Sequence, residues 1–278
     1  MTEKEYNDHP GVRRSDLWKI SESPEKYWYA IRHPIAPTPA MIYGAACHMF
    51  ILEPDEWSNF YSIAPNIDRR TKAGKEEWDQ FVAASEGRSI VTQDDFDTMH
   101  EMSLALMRNS IANQLIYGKG QTELPFFWTD KDTGEQCKVK LDRLVRLGRK
   151  GQRGQRFVVV DYKTAQSAQT DKFCHTAVKL GYHLQAAMYT EGVMKCKRLK
   201  YRPDFIFVVQ EKTPPYSVNI IYVTADSSFM LYGYDTFREL IGTLHQCKET
   251  DFWYGYTGAF GEMSEAYLPG YITLGDEE

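Results

Sequence analysis

Hydrophobic and polar positions divide the chain into a helix-patterned first half and a strand-patterned middle. Ser15 can cap a short helix through Ile20. Ser23-Pro24 opens another, because a Ser cap with Pro at the first helical position is a start signal. A Pro-rich connector (33–39) leads into a run over 41–52 that reads as a buried helix. Residues 62–76 read as an exposed basic loop. Thr92 and Asp95 form a capping box that opens a helix of about 25 residues, with Phe96, Met99, Met102, Leu106 and Leu115 at helical spacing. The period then switches to two. Residues 122–128, 137–147 and 157–163 read as three strands, joined by turns at 130–135 and 148–155. Thr170 caps a further helix of about 25 residues. Two strands follow (201–210 and 216–223) with a Pro-Pro turn between them, and the last helix covers 229–249.

Helices, three strands, a helix, two strands and a helix predict an α/β fold: a mixed sheet of about five strands flanked by helices. The whole chain, 1–278, reads as one domain. Residues 1–120 are mostly helical, 121–225 form the sheet core, and 226–278 form a helix and an aromatic, Gly-rich tail.

Composition narrows the function. Hydrophobic residues make up 42% of the 278 positions and the net charge is −5. That charge argues against a protein that coats nucleic acid, although a local basic strip is still compatible with binding it. The five cysteines are scattered, the nearest pair being Cys174 and Cys196, so a zinc ribbon or disulfide framework is not expected. Their spacing fits a reducing, cytoplasmic setting. The first residues lack an apolar leader segment, and no run approaches the roughly 20 apolar residues of a membrane span.

Candidate chemistry sits on two strands. Residues two apart on a strand share a face, so Asp161 and Lys163 point the same way with Tyr162 opposite. Three valines precede them, which places the pair at the end of a core strand, where charge must be compensated. A structural Asp–Lys pair is the plain alternative. Between Lys138 and Arg156 the only acid is Asp142, among eight Lys or Arg residues. It either balances charge or serves a metal site beside a phosphate-binding groove. In a hairpin the strands lie about 4.8 Å apart, so Asp142 and Asp161 can reach one cation. Unless a cation neutralises them, one of the two would hold a proton. Hard oxygen donors select Mg²⁺ or Mn²⁺, as one or two ions. His48 lies one turn after Gly44 and Ala45, small residues that allow close packing on the sheet; a hydrogen-bonded core histidine is the alternative. Gln185, between Tyr182 and Tyr189, forms a polar stripe that can face the site or DNA. Arg69, Arg70, Lys72 and Lys75 are either a solvated run or a clamp on a DNA strand.

Asp142-Arg143-Leu144, then Val158 through Asp161-Tyr162-Lys163-Thr164, then Tyr182-His183-Leu184-Gln185 through Tyr189, resemble the RecB-like branch of the PD-(D/E)XK nuclease superfamily. Ser15 through Trp18, Ser23 through Tyr27, Pro37 through Pro54 with Gly44 and His48, and Arg69 through Lys75 are similar to RecE-type phage and prophage recombination exonucleases. The resemblance spans residues 6–215. It implies a PD-(D/E)XK core in which His48, Asp142, Asp161 and the Tyr162 carbonyl bind metal, Lys163 serves catalysis, and Gln185 belongs to the site. Tyr182, Tyr189 and the 69–75 cations would contact DNA. Glu123 matches an acid that lies close behind the metal, or else a simple edge-strand charge. The implied activity is a Mg²⁺-dependent exodeoxyribonuclease acting 5′→3′ on double-stranded DNA ends, as a homo-oligomeric ring with a RecT-type single-strand annealing partner. The alternatives are another RecB-like nuclease of different polarity, an endonuclease, or a non-catalytic DNA-end-binding scaffold. Many RecB-like nucleases carry a four-cysteine iron–sulfur cluster, which these cysteines do not provide.

Overall fold

The computed structural model describes residues 3–148, 156–258 and 260–267. The helical part comprises α1 (Glu3–Asp8), α2 (Arg14–Ile20), α3 (Pro24–Arg32), α4 (Pro39–Leu52), α5 (Trp57–Phe60), β1 (Tyr61–Ile63), α6 (Lys72–Ala84), β2 (Ser89–Val91), α7 (Gln93–Arg108) and α8 (Ser110–Ile116). The remainder comprises β3 (Gly120–Thr129), β4 (Gln136–Leu147), β5 (Arg156–Ala165), α9 (Thr170–Lys179), α10 (Tyr182–Cys196), β6 (Asp204–Glu211), β7 (Val218–Val223) and α11 (Ser228–Thr250).

Strands β3 to β7 form one mixed sheet in chain order, with β5–β6 the parallel pair. Parallel neighbours need a long crossover, and α9 and α10 supply it. Helices bury both sheet faces, which explains the unbroken valine run of β5. Val158, Val160 and Tyr162 pack with residues of α4, α7 and α8, whereas Val159 packs with residues of α10 and α11. Asp161 and Lys163 are therefore in phase with Val159. No helix among the described residues is long and apolar enough to cross a membrane.

Several local expectations change. The helix opened by the Thr92–Asp95 capping box ends at Asn109, whose side chain accepts from Ala112 N–H and so starts α8. The helix after β5 also divides. It is capped at Gln169 rather than Thr170, and it breaks at Gly181, which sits at φ 71. A Cβ at Gly181 would lie 2.5 Å from the Trp18 ring, so sterics and backbone both demand glycine there. Arg13, not Ser15, precedes the first turn of α2, and Asp16 takes up the free Arg13 N–H. The helix containing His48 starts at Pro39 under a Thr38 cap and is only half-buried. The 62–76 loop is interrupted at both ends: β1 pairs in parallel with β2, and Lys72 already begins α6. Of the basic turn at 148–155, residues 149–155 lie outside the described residues.

Candidate active site

A single row across the sheet organises the acids. In the β3–β4 ladder Thr122 pairs with Arg143 and Leu124 with Leu141, which leaves Glu123 opposite Asp142 but unpaired. The β4–β5 ladder stops at Arg143 and Val160, one step before Asp142 and Asp161. β4 thus parts from β5 at Asp142 and Asp161, whereas β3 skips a single pair at Glu123, and the three acids gather at this fork. Glu123 has φ 48, a left-handed backbone that strands avoid. Such a conformation costs on the order of 1–2 kcal/mol in a non-glycine residue and persists only where the surroundings impose it.

Asp142 replaces the missing ladder contact with its side chain. Its Oδ2 accepts from Tyr162 N–H at 2.8 Å and from His48 Nε2 at 2.8 Å. Burial pushes the Asp142 carboxyl upward, but His48, Lys163 and the Tyr162 N–H outweigh it and hold the group below its usual range. His48 is correspondingly raised: burial opposes its charge and Asp142 prevails. Its other nitrogen, Nδ1, lies 3.8 Å from Glu123 Oε1, while Lys140 Nζ sits 2.8 Å from Glu123 Oε2. Burial raises Glu123 despite that lysine. One donor atom each from His48, Glu123 and Asp142 lies within 4.8 Å of the other two.

Asp161 is fully buried beside this cluster. Gln185 Nε2 donates to its Oδ1 at 2.5 Å, and Lys163 Nζ lies 2.6 Å from its Oδ2. Burial, then the charge of Asp142, lifts Asp161 to about 6. Lys163 is raised above the ordinary lysine value because Asp161 and Asp142 outweigh its burial. The Asp142–Asp161 pair thus behaves as two close carboxylates do without a neutralising cation.

The donor set fits a divalent ion. One imidazole and two carboxylates converge, a third carboxylate lies close enough to be perturbed by them, and such oxygen-rich sets suit Mg²⁺ or Mn²⁺. Asp161 stands outside the three-residue cluster, held by Gln185 and Lys163. Glu123 takes a fuller part than the sequence suggested, and only the strand register brings it there. The Tyr162 N–H contacts Asp142, and its carbonyl would join His48, Asp142 and Asp161 as a metal ligand.

A cleft of about 930 Å³ opens beside the cluster, between α4 and β3, with His48, Glu123, Lys140, Tyr6 and Tyr61 on its walls. Gly44 and Ala45 line this cleft. A Cβ on Gly44 would meet nothing within 4 Å, so these small residues leave room for a ligand instead of packing against the sheet. Tyr182 lies under the site: its ring packs on Phe173 and Phe207, with Lys163 Nζ 4.9 Å from its centroid. Tyr189 is half-buried, and burial together with the Asp161 and Asp142 charges raises its phenol. The basic cluster is elsewhere on the surface. Arg69 stacks on Trp78 at 4.4 Å, Arg70 pairs with Asp68, Lys72 lies 3.9 Å from Glu76, and Lys75 is exposed on α6. None of the four lines the cleft.

The profile of a family described as a PDDEXK-like domain of unknown function (DUF3799) matches residues 14–264. A crystal structure of a candidate exonuclease from Eubacterium rectale superposes with a TM-score of 0.61 at 15% identity, over 98% of this chain and 96% of that one. A structure of SSO0001 covers 86% of this chain and 81% of its own at 10% identity, but its TM-score of 0.37 carries no weight. No curated protein matches the sequence. With the mixed five-stranded sheet and a family match over most of its length, the chain belongs to the PDDEXK-like family and has its fold.

Proposed function

We propose that this protein is a metal-dependent DNA nuclease, and specifically an exonuclease that degrades double-stranded DNA ends 5′→3′ to 5′-mononucleotides. The observation that carries the reading is the Glu123–Asp142–Asp161 row at the strand fork, with His48 and Lys163 against it. A structural role would not gather three carboxylates where the ladders fail. His48, Glu123, Asp142 and Asp161 would hold one or two Mg²⁺ ions. A bound divalent ion lowers the pKa of water and neutralises charge developing on the phosphate.

The remaining work falls to the chain's own groups. Gln185 holds the Asp161 carboxylate in place through Oδ1. The Tyr162 N–H fixes Asp142. Lys163, charged and shielded by the Tyr182 ring, is placed to orient the attacking water or to stabilise the phosphate oxygens. Arg69, Arg70, Lys72 and Lys75 would grip the strand away from the cleft, acting on the 5′-phosphorylated end. The sequence resemblance to RecE-type enzymes supports the 5′→3′ direction, a homo-oligomeric ring and a RecT-type annealing partner.

The test is linear duplex labelled at either the 5′ or the 3′ end, incubated with and without Mg²⁺. Release of 5′-labelled mononucleotide in Mg²⁺ alone is expected. Exclusive 3′ release would reverse the direction, internal cuts would make it an endonuclease, and end binding without turnover would leave a scaffold.

A further inference from the structure

The end of β4 away from the cleft carries a second concave surface. Arg146 lies four residues beyond Asp142 along the strand, about 13 Å at the usual strand rise. Here a cavity of about 560 Å³ opens between the start of β3, the end of β4 and the end of α10. Its charged lining is entirely positive, from Lys119, Arg146 and Lys197, over a floor that includes Leu144 and Phe157. No described carboxylate lines it, although the chain as a whole is acidic at −5. Two of the three cations are positioned by rings. The Arg146 guanidinium lies 4.3 Å from the Phe157 centroid, and Lys197 Nζ lies 5.3 Å from the same ring and 5.5 Å from that of Phe126. An aromatic face orients a cation without neutralising it, and two cations over one ring repel each other. An anion bound within reach of both would offset that repulsion.

We infer that this cavity binds a phosphate of a nucleic-acid strand, as a contact separate from the catalytic cleft. A planar guanidinium with two ammonium groups suits a multi-oxygen anion. The volume exceeds that of a bare ion and falls in the range that accepts a nucleotide-sized group. The inference rests on the DNA-nuclease reading for its choice of ligand. A strand lying along the β3–β4 edge would be cut at the fork and held here.

The whole chain is titrated in EDTA, so that no cleavage intervenes, with a fluorescein-labelled oligonucleotide and, as competitor, a 5′-deoxynucleoside monophosphate. Arg146→Gln and Lys197→Gln are each expected to weaken oligonucleotide binding about five- to tenfold and to lower the slope of log affinity against log salt by about one. Lys131→Gln serves as the control, an exposed cation in the turn at the other end of the β3–β4 hairpin, and should change neither. Competition by the mononucleotide that is lost in the pocket variants assigns the site to a terminal phosphate. Its absence assigns the site to an internal phosphodiester. Unchanged affinity and slope in both pocket variants, or an equal loss in Lys131→Gln, overturns the inference. Hydrolysis of bis(p-nitrophenyl) phosphate in Mg²⁺ checks the nuclease reading separately, because turnover of that small ester at the fork needs no strand held in the second cavity. An inactive wild type there refutes the nuclease while leaving the phosphate titration to decide the pocket.

Discussion

Buried acids occur in two settings in this molecule, and the contrast separates structure from chemistry. Away from the cleft, Glu191 on α10 meets Arg202 at 2.9 Å and Lys195 at 3.4 Å. Asp204 opens β6 and meets Arg156 at 2.9 Å, the Ala225 N–H at 3.0 Å and the Tyr222 hydroxyl. Each of these acids is matched by its own cation. At the fork, Glu123, Asp142 and Asp161 each have a partner too, in Lys140, His48 and Lys163, but there the acids also face one another. Burial alone therefore marks no function. A buried acid beside other acids does, because the charge of Asp142 still helps to raise Asp161 and Glu123 in the presence of their lysines.

The sharpest way to break this contrast is to remove one acid from each setting. Asp161→Ala should reduce cleavage of linear duplex by at least about a thousandfold, the scale of losing a preorganised charge partner in an active site. Circular dichroism should show the fold retained. Glu191→Ala should leave the rate per folded molecule unchanged but cost about 3 kcal/mol in urea unfolding, since Arg202 would remain largely buried without its carboxylate. Normal cleavage by Asp161→Ala, or a dead but stable Glu191→Ala, would dissolve the distinction. Glu123→Gln comes next. It should weaken Mg²⁺ affinity about 10- to 100-fold by calorimetry, with cleavage recovered at high Mg²⁺. An unaltered Mg²⁺ titration would reduce Glu123 to a partner of Lys140.

Much of this was legible in the sequence. The alternating β4 pattern and the valine run of β5 located the sheet and put Asp161 and Lys163 on one face, because strand periodicity is local. Gln185 was legible as part of a polar stripe with Tyr182 and Tyr189, and the resemblance placed it in the site. Glu123 was legible only through the resemblance, as an acid close behind the metal or a plain edge charge; its place in the row depends on the register between β3 and β4 and on a left-handed backbone at an ordinary residue. The helix breaks at Asn109 and Gly181 were missed for a related reason. Hydrophobic spacing continues across both, while the turn at Gly181 is enforced by Trp18 from a distant helix. The 69–75 cations were legible only as charge, and that none of them lines the cleft is a tertiary fact.

A smaller effect concerns protons. Burial and Asp142 raise Asp161 from its model-compound value of 3.8 to about 6, whereas Asp142 is lowered. As pH falls through about 6, Asp161 takes up a proton before Asp142 does, and that proton competes with a cation. Cleavage at subsaturating Mg²⁺ should therefore fall up to about tenfold per pH unit below 6. The limb should move to lower pH as Mg²⁺ is raised. A limb indifferent to Mg²⁺ would detach the titrating acid from the cation site.

The smallest expected effect lies directly behind the fork. The Tyr162 hydroxyl donates to Gln210 Oε1 at 2.7 Å, and Gln210 Nε2 donates to the Met102 carbonyl at 2.9 Å. This buried chain anchors the side chain of the same residue whose backbone N–H holds Asp142. Tyr162→Phe keeps the ring and the N–H but strands a buried amide oxygen. It should cost about 1–3 kcal/mol in unfolding free energy. Because the N–H contact survives, cleavage should change by less than about threefold. A loss of rate as large as that of Glu123→Gln, with stability unchanged, would mean that the polar chain behind β5 acts on the reacting groups. The line between structural and chemical charge would then fall one residue deeper in the sheet.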